Sequence, residues 1–195
     1  MVWKSKRQKK LVELYEESKQ YTLQEAITIL KKMPPLKFDE TVEVSVKLNL
    51  NPKDSTLAVR GTVALPHGTG KKVRIAVFCK GEQEKQASAA GADFVGADDL
   101  VKKVMGGWCD FDVAITTPDM MRDIARLGKI LGPRGLMPSP KAGTVTQDIE
   151  KAVQEVKAGK IEFKMDKQAG MHAPVGKLSF PEEALIKNAT ALINS

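Results

Sequence analysis

Residues 73–79, Val-Arg-Ile-Ala-Val-Phe-Cys, and residues 111–117, Phe-Asp-Val-Ala-Ile-Thr-Thr, set the architecture of the middle of this chain. Both are short runs that stay apolar almost throughout. An alternating strand buries one face, whereas a continuously apolar strand is covered on both faces, as happens when crossover helices sandwich a parallel sheet. The intervening segments agree: EQEKQASAAGA (82–92) and DDLVKKVMGG (98–107) are helical in pattern, DFVGA (93–97) is a short strand, and DMMRDIARLGKILG (119–132) is again helical. This β-α-β-α-β-α order predicts a small Rossmann-like parallel sheet layered between helices. Gly132-Pro-Arg-Gly-Leu-Met-Pro-Ser-Pro140 reads as a structured loop, and a last helix, DIEKAVQEVKA (148–158), stops at Gly159.

The rhythm differs on either side of this block. Thr22-Leu-Gln-Glu25 has capping-box spacing, so LQEAITILKKM (23–33) is expected to be a helix ended by Pro34-Pro35. An alternating strand follows, with Val42, Val44, Val46, Leu48 and Leu50 on one parity and Thr41, Glu43, Ser45, Lys47 and Asn49 on the other. The turn Asn51-Pro52-Lys53-Asp54-Ser55 leads to TLAVRGTVAL (56–65), and adjacency suggests that the two runs pair as a long hairpin. After Gly159 alternation resumes, with Ile161, Phe163 and Met165 opposite Glu162, Lys164 and Asp166, then HAPVGKLSF (172–180). Pro181-Glu182-Glu183 suits a first helical turn before ALIKNATALIN (184–194).

The simplest organisation is therefore two domains, α+β and α/β: a discontinuous α+β body from residues 1–68 and 159–195, and an inserted parallel-sheet domain from residues 69–158. Gly68, Gly70 and Gly159 sit at the two connections, and two strands crossing side by side there would make a hinge.

A net charge of +7 favours an anionic partner, nucleic acid before a membrane surface, because basic side chains that neutralise phosphates release condensed counterions. The body holds 17 basic and 12 acidic residues against 14 and 12 in the insert, so the body is the better candidate for that contact. The basic start is not followed by an unbroken apolar stretch, and no run approaches transmembrane length, which fits cytoplasmic residence. Cys79 and Cys109 stand far apart without flanking ligands and read as small buried hydrophobes.

Catalytic and cofactor signatures are missing. Pro66-His-Gly-Thr-Gly-Lys-Lys72 departs from phosphate-loop spacing at Leu65 and Lys72. His67 and His172 have no second ligand at helical spacing, so no metal or other cofactor is expected. Asp110 and Asp112 could share a face for acid-base work, or simply form a polar cap on a buried strand. The competing functional class is a nucleotide-binding enzyme using the inserted sheet, whose glycine fingerprint is absent. The sequon at Asn188 is read as chance.

Six segments carry a resemblance to a known family: Lys37-Phe-Asp-Glu-Thr-Val-Glu-Val44, Arg60-Gly-Thr-Val63, Leu65-Pro-His-Gly68, Leu131-Gly-Pro-Arg-Gly-Leu136, Pro138-Ser-Pro-Lys-Ala-Gly-Thr-Val145 and His172-Ala-Pro-Val-Gly-Lys177. They occur in family order, and the chain resembles bacterial-type large-subunit ribosomal protein L1. The resemblance implies a hinged two-domain protein, monomeric when free, whose discontinuous domain binds large-subunit rRNA at the mobile stalk beside the tRNA exit site. It further implies assistance to release of deacylated tRNA, and repression of its own operon by binding the mRNA. Family members carry a final strand with a Thr-Met-Gly-Pro motif after the helix near Ser195, a motif this sequence lacks.

The implied RNA surface falls on Lys37, Phe38, Thr41, Glu43 and Lys47, with Lys164, Lys167 and His172. On the polar parity of the first strand, Thr41, Glu43 and Lys47 can meet phosphates, 2′-hydroxyls or base edges, and Phe38 offers a flat apolar surface. Without the resemblance Phe38 reads equally as a core aromatic at a strand entrance and Glu43 as a solvated charge. A carboxylate there must accept from a base amino group or a 2′-hydroxyl, since it repels phosphate.

Overall fold

The computed structural model describes residues 6–16, 18–34, 36–50 and 59–195. Two kinds of layer appear. In the middle of the chain, β3 (Ile75–Phe78), β4 (Phe94–Gly96) and β5 (Val113–Thr116) form a parallel sheet in the order β4-β3-β5, joined through α3 (Glu82–Ala89) and α4 (Asp98–Met105). A parallel bridge between Thr116 and Val145 adds the chain beyond β5 to that edge.

Every residue of β3 is fully buried, and alternate residues serve different layers. Ile75 and Val77 pack with Ala87 of α3 and with Val153 and Val156 of α7 (Ile149–Lys157). Ala76 and Phe78 pack with Val101 and Val104 of α4, and with Ile124 of α5 (Met121–Ala125) and Leu131 of α6 (Gly128–Leu131). A strand that must satisfy two cores has no polar parity to spare, and this is why residues 75–79 are continuously apolar. The expected single helix over 119–132 is instead a 3-10 turn at Pro118–Met120 followed by α5 and α6.

The chain ends build the second unit. Here β1 (Thr41–Lys47) runs antiparallel to β7 (Gly170–Lys177), and β2 (Arg60–Ala64) antiparallel to β6 (Lys160–Lys164). The expected hairpin between β1 and β2 is not formed by these strands, and each pairs instead with a strand that follows the whole insert. The turn expected at 51–55 lies outside the described residues. An antiparallel bridge between Met165 and Met171 joins the two ladders, giving the order β1-β7-β6-β2.

One face of this sheet is closed by α2 (Leu23–Lys32) and α8 (Glu182–Ile193) over a core that includes Ile27, Val42, Val63, Phe163, Ala173, Val175, Leu185 and Leu192. The N-terminus of α2 carries the expected capping box, with Thr22 Oγ1 accepting from Glu25 N and Glu25 accepting from Thr22 N. Gly61 makes room for its cross-strand partner, because a β-carbon there would stand 2.7 Å from the tip of the Phe163 ring and force it to shift. A short α1 (Lys6–Val12) is tied to the segment before β1 by the Arg7–Glu40 ion pair, 2.8 Å.

The two connections between the units touch. Gly68, Gly70 and Gly159 all have positive φ, at 65, 72 and 104°. A β-carbon on Gly159 would lie 2.4 Å from the Gly68 Cα, so the crossing needs a glycine for space as well as for conformation. Gly70 still leans on the body, since a β-carbon there would meet the Phe180 ring at 2.8 Å. Asn188 of α8, fully buried, fastens the entering connection: its Oδ1 accepts from His67 N (3.0 Å) and its Nδ2 donates to Gly68 O (2.9 Å) and Val175 O (2.8 Å). A fully enclosed side chain with three internal bonds is no glycan acceptor, so the sequon is indeed chance.

On the other side of the junction Asp112 clamps the chain entering β3. Its carboxylate accepts from Lys71 Nζ (2.7 Å), from Arg74 N (3.1 Å) and from Arg74 Nε (3.3 Å). The Lys71 bond first, and the Arg74 amide second, hold the carboxyl down at about 2. A depressed folded value means a contribution that is complete above the unfolded carboxylate range and lost as the pH falls from about 4 to about 2. We expect Asp112→Asn to remove about 1 kcal/mol at neutral pH, the exposed Lys71 making the pair weaker than a buried one. The variant should also show a shallower loss of stability between pH 4 and 2 in acid-titrated urea unfolding. Parallel pH profiles for the two proteins would contradict the clamp.

Candidate nucleic-acid interface

With α2 and α8 on its inner face, the four-stranded sheet leaves its outer face open. Along β1 the exposed parity is Thr41, Glu43, Ser45 and Lys47, and along β7 it includes His172 and Pro174. The registers put these side chains in rows. Ser45 faces His172, the Met165–Met171 bridge sets Lys164 beside His172, and Lys164 faces Arg60. Ser45, His172, Lys164 and Arg60 therefore cross all four strands in one transverse row.

That row is preorganised. His172 Nδ1 lies within hydrogen-bond distance of Ser45 Oγ, 2.9 Å, with Glu43 Oε1 standing 3.6 Å from the same nitrogen. Arg60 Nε lies 2.5 Å from Glu162 Oε1. At the other end of β1, Lys177 Nζ donates to Thr41 Oγ1 (2.9 Å), and Asp39 accepts from Ser179 N (3.1 Å) and Ser179 Oγ (2.7 Å). The ladder register slips between Val42 and Glu43, a β-bulge that accommodates an extra residue on β7.

Each residue expected from sequence can now be placed. Lys37 and Phe38 lie in the segment leading into β1, both exposed, with Phe38 67% accessible. The alternative of a core aromatic is thereby removed: a large apolar ring stands in solvent three residues before β1. Thr41, Glu43 and Lys47 share the exposed parity of β1, Lys164 ends β6, and His172 stands on β7. Lys167 is exposed in the turn joining β6 to β7. Asp166 shapes that turn by accepting from Gly170 N (2.7 Å) and Gln168 N (2.8 Å), bonds that hold its carboxyl below the ordinary value.

Thr41, Glu43, Lys47, Lys164 and His172 thus share the outer face of the sheet, Lys37 and Phe38 precede it and Lys167 lies in the β6–β7 turn, and the structure adds Ser45, Arg60 and Lys177 to the face. Ser45 was legible from parity. Arg60 was not, because its neighbours on the face come from β6 and its own strand does not pair with β1.

The other candidates resolve differently. Asp110 is exposed, and Asp112 is committed to the clamp on Lys71 and Arg74. Burial, with Glu84 as a lesser cause, pushes the Cys79 thiol up to about 11, so it is neutral and inert at physiological pH. Among the described residues no cluster of His, Cys, Asp and Glu could hold a metal ion, and no helix is long and apolar enough to cross a membrane.

A body with one open, polar sheet face, joined through two touching connections to an α/β/α insert, defines a two-domain α/β protein with a preformed surface rather than an enclosed pocket. Residues 30–195 match the model of the Ribosomal protein L1p/L10e family, and the chain belongs to that family. It is 57% identical over 189 residues to the large ribosomal subunit protein uL1 of Protochlamydia amoebophila, across 97% of this chain and 80% of that protein. Against the uL1 proteins of Chlamydia abortus and Kosmotoga olearia it is 56% and 54% identical over 190 residues, in both cases across 97% of this chain and 82% of the relative.

Proposed function

We propose that the chain is a structural constituent of the large ribosomal subunit, without catalytic activity, and that it holds rRNA on the outer face of the β1-β7-β6-β2 sheet. The observation that carries this reading is the transverse row Ser45, His172, Lys164 and Arg60, flanked by the exposed Phe38. Such a row pairs hydroxyl, imidazole and cationic groups with an aromatic platform, the combination that reads folded RNA through its 2′-hydroxyls, backbone and unstacked bases. Ribosome association places the protein in the cytoplasm.

In this reading residues 1–68 and 159–195 are the RNA-binding domain and residues 69–158 the mobile insert, turning at Gly68, Gly70 and Gly159. The same face serves rRNA of the stalk and the protein's own mRNA, whose binding would repress its operon. Movement of the insert accompanies release of exit-site tRNA. Support comes from family membership, the charge of the body and the positive φ of all three glycines.

Phe38→Ala and Thr41→Val are each expected to weaken binding of a stalk rRNA fragment by about 1–3 kcal/mol. Neutral substitutions at exposed positions of residues 82–103 should leave it unchanged. Filter binding on the purified chain decides the matter, and the opposite ranking would move the binding site to the insert.

A further inference from the structure

The chain contains six arginines, and the structure divides them into two groups. Arg7, Arg60 and Arg74 each pair with a carboxylate, at 2.8, 2.5 and 3.3 Å. Arg122, Arg126 and Arg134 are all exposed in one stretch of the insert, and among the described residues none has a carboxylate within ion-pairing distance.

The fold puts two of them on one side with Lys129. From Pro118 to Leu131 the chain is helical nearly throughout, with α5 and α6 joined by Leu127 N to Ile124 O (2.8 Å) and Leu131 N to Leu127 O (2.9 Å). Met120, Ile124, Leu127 and Leu131 are fully buried on the inner side. The outer side therefore carries Arg122, Arg126 and Lys129, spaced by four and three residues, about one 5.4 Å helical turn apart. Arg134 follows beyond the Gly132-Pro133 turn.

Little opposes these charges. Asp123 is turned toward Lys80, 3.9 Å away, leaving the exposed Asp119 as the other acid. Residues 118–147 hold five basic and two acidic side chains, while the rest of the 69–158 insert holds nine and ten. The insert's whole positive excess thus lies in this stretch. α3, α4 and α7 carry acids in their first turns beside their lysines, and the one acid in the first turn of α5 is the Asp123 already turned toward Lys80.

We propose that Arg122, Arg126, Lys129 and Arg134 form a second RNA contact, which takes the sugar–phosphate backbone of an RNA helix without regard to base sequence. Guanidinium groups bind phosphate oxygens bidentately and shed water more easily than ammonium groups, and cations repeated at each helical turn suit phosphates repeated along a strand. The stripe also leads toward the sheet. Gly135, next to Arg134, lines a cleft of about 200 Å³ together with Thr62 and Glu162, which are one same-face step along the ladder from Arg60 and Lys164. Only this continuity rests on the function proposed above; the grip of the stripe itself does not.

The test uses fluorescence anisotropy of a short RNA duplex of arbitrary sequence, titrated across a salt series. It compares the intact chain, R122Q/R126Q/K129Q, and the charge-matched control K85Q/K102Q/K151Q on other helices of the insert. The stripe variant should lose about three from the slope of log affinity against log salt, and at least about tenfold in affinity at low salt. The control should change the slope by less than about one, and all three proteins should melt at the same temperature.

Equal losses in both variants, or an unchanged slope in the first, would overturn the proposal. So would displacement of the duplex by polyglutamate or phosphatidylserine vesicles as effective as that by unlabelled duplex. Phe38→Ala assayed on the stalk fragment keeps the two readings apart. If it binds normally while the stripe variant loses slope, the sheet assignment fails and the stripe stands; the reverse pattern leaves the sheet and removes the stripe.

Discussion

Gly159→Ala is expected to lower the free energy of unfolding by about 3–5 kcal/mol, the sum of a strained φ and a forced separation of two backbones. Gly68→Ala, directly across the junction, should cost only about 1 kcal/mol. The asymmetry follows from the geometry. At Gly159 the φ of 104° is combined with a β-carbon 2.4 Å from the Gly68 Cα, a backbone atom that cannot swing aside as a side chain could. At Gly68 the φ of 65° is an ordinary left-handed value, and a β-carbon would find only Ala158 O at 3.6 Å, a normal contact. Urea unfolding midpoints of the two variants measure the difference directly. Equal midpoints would mean that the connections do not press on each other as described.

Asn188→Leu is expected to cost about 3 kcal/mol or more, although leucine has the same branched outline and is at home in an amphipathic helix. The loss comes from what asparagine leaves behind. His67 N–H, Gly68 C=O and Val175 C=O would each lose a partner, and Val175 itself is buried beneath α8 where water cannot substitute. Thermal unfolding followed by circular dichroism reads the effect. A melting temperature within a degree or two of the parent protein would sink the idea that this amide fastens the connection to the body.

Much of the fold was legible because it is written in local patterns. The twin apolar runs at 73–79 and 111–117 declared a sheet covered on both sides, Thr22 and Glu25 declared a helix start, and Gly159 a helix stop. The parity of residues 41–47 separated the open face from the buried one, which set Thr41, Glu43 and Lys47 apart from Val42, Val44 and Val46.

What stayed hidden depends on contacts between distant parts of the chain. Alternation says which side of a strand is buried but not which edge is paired, so β1 and β2 were read as a hairpin when β7 and β6 claim them. Arg60 gained its place on the outer face only through that pairing. Asn188 looked like one more polar residue in a helix, because its partners are backbone atoms 121, 120 and 13 residues away. Arg122, Arg126 and Arg134 can be counted in the sequence, but that none of them has a carboxylate partner among the described residues required the structure.

The strand partners also order events in time. During synthesis the parallel sheet of the insert can close on itself, since its strands and helices all lie between residues 75 and 157. β1 and β2 are made before β7 and β6, so their hydrogen-bonding edges stay unmatched until those strands emerge. The open face of this sheet is thus assembled only after β7 has been made.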